Sequence, residues 1–118
     1  MIVFIALRAG KAPVQLNIKT FDNLIIHKKI LKVNEEGVIF GSKWSVTHTP
    51  SGYSAFDFQK KWQAKLFKSK MSYIDWSPID VVKTLSSEQK DYVVRIKTII
   101  YGFKTQKDYK NFSDWPTL

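Results

Sequence analysis

Apolar and polar positions change period once along this chain, close to Phe58. Before that point they run in short continuous or alternating stretches, as strands do; beyond it they recur at helical spacing. The opening stretch "MIVFIAL" is a continuous β-rich run and predicts a buried strand at 2–7. It is far shorter than the roughly 20 residues that span a bilayer, and it lacks the basic leader of a signal peptide. "VQLNIKT" alternates Val14, Leu16 and Ile18 with Gln15, Asn17 and Lys19, predicting a second strand at 14–20. "RAGKAP" between them, with Gly10 and Pro13, reads as a loop. After the turn "FDN", "LIIHKKILKV" predicts a long strand at 24–33. A helix competes there, but the β-branched Ile25, Ile26, Ile30 and Val33 and the following "NEEG" favour strand.

Two turn signals set the next register. "NEEG" (34–37) and "TPSG" (49–52) each end in glycine, and "TPSG" has Pro50 where its fixed φ suits a type I turn. A left-handed glycine at 52 predicts a three-residue hairpin loop with a G1 bulge. Thr49 then pairs with Tyr53, Val46 with Phe56 and Trp44 with Phe58. That register puts Trp44, Val46, Phe56 and Phe58 on one half-buried face.

Helical signals follow. A first helix is expected over 59–72. A short second one is expected in "WSPIDVVKTL", with Ser77 as cap, Pro78 at the first helical position and Asp80 completing a capping box. The third has Ser86 and Gln89 as a capping box, Tyr92, Val93, Ile96, Ile99, Ile100 and Phe103 at helical spacing, and Gly102 as the stop. The pattern predicts an α+β fold: an antiparallel meander of about five strands (2–58), followed by two to three helices (59–102) packed on one face. One domain over 1–118 is expected, with a sheet half at 1–58, a helical half at 59–104 and an aromatic tail at 105–118.

Composition narrows the functional classes. At 44% apolar and 25% charged, with four Trp, five Tyr and eight Phe, the chain is globular in type and not disordered. It contains no cysteine, which excludes disulfides, thiolate nucleophiles and thiolate metal sites and fits a cytoplasmic setting. The formal net charge is +9 in 118 residues, a balance that attracts nucleic acid or acidic proteins. Of the nineteen basic residues only Arg8 and Arg95 are arginine, so bidentate reading of bases is poorly supplied. The Lys-over-Arg bias also arises in AT-rich genomes, which leaves solubility as a competing explanation.

Catalytic signatures are thin. His27 and His48 are the only histidines, and neither has a second ligand at metal spacing. His48 stands beside Thr47, Thr49 and Ser51, as a base beside a hydroxyl would, but no third orienting group is visible. No phosphate-loop, dinucleotide, zinc-protease or nucleophile-elbow motif occurs, and the ten acids are scattered. The expectation is a non-enzyme with no catalytic residue, no metal and no cofactor; an unfamiliar site near His48 is the enzymatic alternative.

The basic segment "QKKWQAKLFKSK" (59–70) carries the binding hypothesis. On a helix, Lys61, Lys65 and Lys68 form one stripe within about 60°. Phe58, Trp62, Leu66 and Tyr73 fall in a second arc, and Phe67, Met71 and Ile74 in a third; Lys60 and Lys70 lie between, placed to snorkel. Three phosphate contacts imply a salt slope of about −2 to −3, which is weak nonspecific binding. Lys28, Lys29, Lys32 and Lys43 on the central strands are candidates to extend the footprint. A solvated helix face is the bland alternative. Tyr109, Phe112 and Trp115, three apart, are either an anchor for a partner or a final turn folded onto the chain's own core. The preferred partner is nucleic acid, through its backbone. The alternative is an adaptor or inhibitor, of the kind phage and mobile elements encode, docking on an acidic protein.

Overall fold

The computed structural model describes residues 2–7, 10–18 and 22–118. Arg8, Lys19 and Phe21 lie outside them, with the last two positions of the strand expected at 14–20. The elements in chain order are β1 (Ile2–Leu7), β2 (Gly10–Gln15), β3 (Leu24–Asn34), β4 (Gly37–His48), β5 (Ser54–Phe58), α1 (Lys61–Lys70), α2 (Val81–Thr84), α3 (Ser87–Gly102) and α4 (Gln106–Lys110). The fold is α+β with five antiparallel strands, divided between a β1–β2 hairpin and a β3–β4–β5 meander.

The meander is a layer between two cores. Leu24, Val46 and Phe58, with the half-buried Ile26, Trp44 and Phe56, meet the helices through Phe67, Met71, Ile96 and Ile100. Phe67 sits between the two β5 rings, 5.1 Å from Phe56 and 5.4 Å from Phe58 between ring centroids. Ile25, on the other face of β3, joins Val3, Ile5, Val14 and Leu16 of the N-terminal hairpin. The first strand is therefore one-sided: Val3 and Ile5 are buried, while Ile2 and Phe4 are 61% and 59% exposed. A fully buried strand is not what "MIVFIAL" forms, because only one face of a two-stranded sheet is covered.

Several boundaries differ from expectation for identifiable reasons. β2 begins at Gly10, inside the expected loop, and Phe4 pairs with Pro13. Proline is tolerated because β2 is an outer strand that needs no donor on its open side. The "TPSG" hairpin pairs Val46 with Phe56 and Trp44 with Phe58, as the pattern predicts. The extra residue, however, is Ala55, where the register shifts, and the loop is closed by His48 N–H donating to the Tyr53 carbonyl at 2.8 Å. Ser77 and Pro78 do not start α2. The Asp75 carboxylate accepts from both the Ser77 amide (3.0 Å) and hydroxyl (2.7 Å), making a turn, and the helix begins after Asp80. The Ser86–Gln89 capping box forms in both directions, at 2.9 and 3.1 Å. The tail forms α4, whose start is held by Asp108 accepting from the Lys104 and Thr105 amides.

Gly52 joins the two sheets. Its carbonyl accepts the Ala6 amide at 2.8 Å, its φ is +79°, and a Cβ there would lie 2.6 Å from the Phe4 carbonyl oxygen. Gly52→Ala is expected to destabilise the protein by about 2 kcal/mol or more, since it adds left-handed strain to a backbone clash. A urea midpoint equal to that of the wild type contradicts this account of the junction.

Candidate nucleic-acid interface

The lysines of the basic segment do not share one role. α1 starts at Lys61, and its first turn is tied down by Gln63 rather than by a Ser or Asp cap. The buried Gln63 amide accepts from the Lys60 N–H at 3.0 Å and donates to the Ile100 and Phe103 carbonyls at 3.3 and 3.1 Å. The first turn of α1 is thereby anchored to the end of α3, with Ala64 and Phe67 inward and Lys61 and Lys65 outward. Lys68 is bonded to Asp22 at 2.9 Å. Lys61 reaches back to the sheet, with its ammonium 5.0 Å from the centre of the Trp44 ring. Lys65 has no carboxylate partner among the described residues. Lys70 lies 4.2 Å over the Trp115 ring, a half-buried position that agrees with a snorkelling stem.

The four strand lysines separate by face. Lys28 is on the helix side, its ammonium also 5.0 Å from the Trp44 ring centre. Two ammonium groups each 5.0 Å from one centroid are at most twice that, 10 Å, apart. Lys29 is on the opposite side, paired with Asp57 at 2.9 Å, and the Lys43 charge acts on the same carboxylate. Burial pushes the Asp57 carboxyl up, but the Ser45 hydroxyl at 2.5 Å and Lys29 outweigh it and hold the group below the ordinary carboxylate value. Lys32 pairs with Ile39 toward the far end of the β3–β4 hairpin.

Lys28 and Lys61 border a hollow of about 560 Å³. Its walls include Trp44 and Phe40 of β4, with Gln15 and Asn17 at the end of β2; no carboxylate lines it among the described residues. The β3–β4 ladder is irregular beside this hollow. Lys28 pairs with Trp44 and Ile30 with Phe40, so three residues of β4 (Gly41, Ser42, Lys43) oppose the single Lys29. Bulges of this kind bend a strand and re-aim its side chains. A Cβ at Gly41 would come within 3.3 Å of the Leu31 side chain, a tight contact. The hydrophobic pattern places Trp44 on the apolar face but does not mark Phe40, Gln15 or Asn17 as lining a hollow; Gly41 is the one local hint of a bulge.

Both histidines are buried and fully bonded. His48 Nε2 lies 2.6 Å from the Trp76 carbonyl, which can only accept, so Nδ1 takes the Ser51 hydroxyl at 2.7 Å. The third group that the sequence did not offer is this main-chain carbonyl. The Tyr53 amide donates to the Ser51 oxygen at 3.2 Å. The arrangement ties the hairpin loop to the segment before α2. His27 Nδ1 donates to the Lys28 carbonyl at 2.7 Å and Nε2 accepts from the Thr47 hydroxyl at 2.6 Å, with Ser54 3.1 Å from Thr47. Among the described residues no three His, Asp or Glu side chains converge as metal ligands. No helix among them is long and apolar enough to cross a membrane.

Tyr109, Phe112 and Trp115 fold back on the helical core. Tyr109 stacks on Trp62 at 5.7 Å, and Phe112 and Trp115 meet Phe103 edge-on at 5.5 and 5.7 Å. Each remains half-buried. Comparison with known proteins finds no matching family model, no matching curated protein and no matching solved structure. The functional reading therefore rests on this geometry.

Burial drives the His27 pKa below its ordinary value of 6.5, against the opposing pull of the Lys28 carbonyl and the Asp57 charge. The unfolded chain then takes up a proton near 6.5 that the folded chain refuses, so this contribution to stability is complete above that pH and is lost as pH falls below it. Urea midpoints are expected to drop between about pH 7.5 and 5.5, and to drop less in His27→Gln. Parallel pH profiles for the two proteins remove His27 as the source.

Proposed function

We propose that this protein is a non-enzymatic binder of nucleic acid, gripping the phosphate backbone through Lys28, Lys61 and Lys65 with little sequence preference. The observation that carries the reading is the convergence of Lys28, from the sheet, and Lys61, from α1, on the Trp44 ring beside a hollow that no carboxylate lines among the described residues. Cation–π contact orients both ammonium groups and leaves them their charge and their water-facing donors. Lys65, one turn along α1, extends the row. Lysines hold phosphates as hydrated point charges, which fits backbone attraction and not base readout. A cytoplasmic setting belongs to the same reading, since nucleic acid is encountered there.

In polarisation titrations with a labelled oligonucleotide at several salt concentrations, replacing Lys28, Lys61 and Lys65 by Gln is expected to flatten the slope of log K against log salt by about 2. Lys29→Gln and Lys68→Gln, whose ammonium groups already hold Asp57 and Asp22, are expected to change it much less. Equal effects from both sets dismiss this surface as the contact.

A second reading, an adaptor or inhibitor docking on an acidic protein, draws support from a groove of about 620 Å³ between the β4–β5 hairpin and α2. Ile79 and Val82, which line it, are 71% and 64% exposed, with Lys11 and Asp80 as its charged residues. Loss of a captured host partner in Ile79→Ser/Val82→Ser, with oligonucleotide binding intact, favours this reading over the first.

A further inference from the structure

Resting on the nucleic-acid reading above, we infer that the hollow between Phe40 and Trp44 receives an unpaired base, so that the protein prefers single strands to duplex. Phe40 is 45% exposed, and its ring stands at the rim of the hollow with no aromatic partner among the described residues. An open phenyl face in water is unfavourable unless something covers it, and every base has a π-face that can. The two ammonium groups held at Trp44 lie at most 10 Å apart beside the hollow and would meet the phosphates flanking a base lodged in it. Gln15 and Asn17 border the hollow with side-chain amides that make no hydrogen bond among the described residues, so donors and acceptors face a base edge.

Duplex geometry argues the same way. A paired base presents only its edge in a groove, and no helix or ribbon of arginines is available here to read it. A base that leaves the stack can enter a concavity of this size and lie against a ring. Phe40 and Trp44, four residues apart on β4, line the same hollow, and lysines from two elements border it.

The test compares four probes of one length at fixed salt: single-stranded DNA, single-stranded RNA, duplex DNA, and an abasic sugar–phosphate strand that keeps the charge and lacks the bases. Wild-type protein is expected to bind at least one base-bearing single strand more tightly than the abasic strand and the duplex, by about fivefold or more. Phe40→Ala, a change at an exposed position, is expected to erase that margin while leaving abasic binding unchanged. Equal affinity for all four probes, or a margin that survives Phe40→Ala, overturns base capture and leaves the backbone reading standing. Absence of binding to every probe at low salt overturns both.

Discussion

The apolar seat of α1 on the β4–β5 hairpin governs the rest of the molecule. Phe67 packs between Phe56 and Phe58, and all three belong to the core shared by sheet and helices. Truncating a ring in such a position removes several kcal/mol in typical cores, about 3–5 for Phe→Ala. The seat fixes how far α1 is rotated, and Gln63 locks that rotation against the end of α3. Only with this rotation does Lys61 reach Trp44, Lys65 face water and Lys68 meet Asp22. The placement of these lysines is thus a by-product of where a phenyl ring fits.

Sequence pattern went far where burial alternates and stopped where the ladder slips. The Trp44–Phe58 and Val46–Phe56 pairs followed from the need to put large apolar residues on one face, and that need holds wherever the extra residue sits. Its location was not legible: Gly52 has the left-handed φ that a bulge there would require, yet the register shift is at Ala55. Glycine chemistry marks where unusual backbone is allowed, whereas the bulge forms where the pairing needs it. Ser77–Pro78 misled for a related reason, since Asp75 supplies a better acceptor to Ser77 than a helix start would use.

The site was only partly readable. Helical projection puts Lys61, Lys65 and Lys68 in one outward stripe; Lys61 and Lys65 are exposed, whereas Lys68 is half-buried and bonded to Asp22. It could not show that Lys28 would meet Lys61 on one ring, because that meeting depends on packing between elements far apart in sequence. Strand alternation puts Phe40 on the face of Trp44, four residues away, but does not mark it as lining a hollow. Two irregularities in the β3–β4 ladder, around Lys29 and Leu31, change which way this stretch points relative to its partner. Sites built on bulges are in general invisible to periodicity, since a bulge is a local break in the period being read.

Net charge is a poor guide to which lysines are available, and this protein shows why. Asp57 engages Lys29 and draws on Lys43, Asp22 engages Lys68, and Asp80 engages Lys83. Exposed pairs like these add little stability, with a median of about 0–1 kcal/mol. Their larger effect is on the surface field, which they neutralise locally. Lys28 and Lys61 escape this fate because an aromatic ring, not a carboxylate, takes up their ammonium groups. A ring attracts a cation without cancelling its charge, so both groups are held in place and still present a positive field to an incoming anion. Pairing with acids would have ordered them equally well and left nothing to bind with. On this chain the division between structural and available lysines therefore follows from what each one rests on, and Trp44 marks the available side.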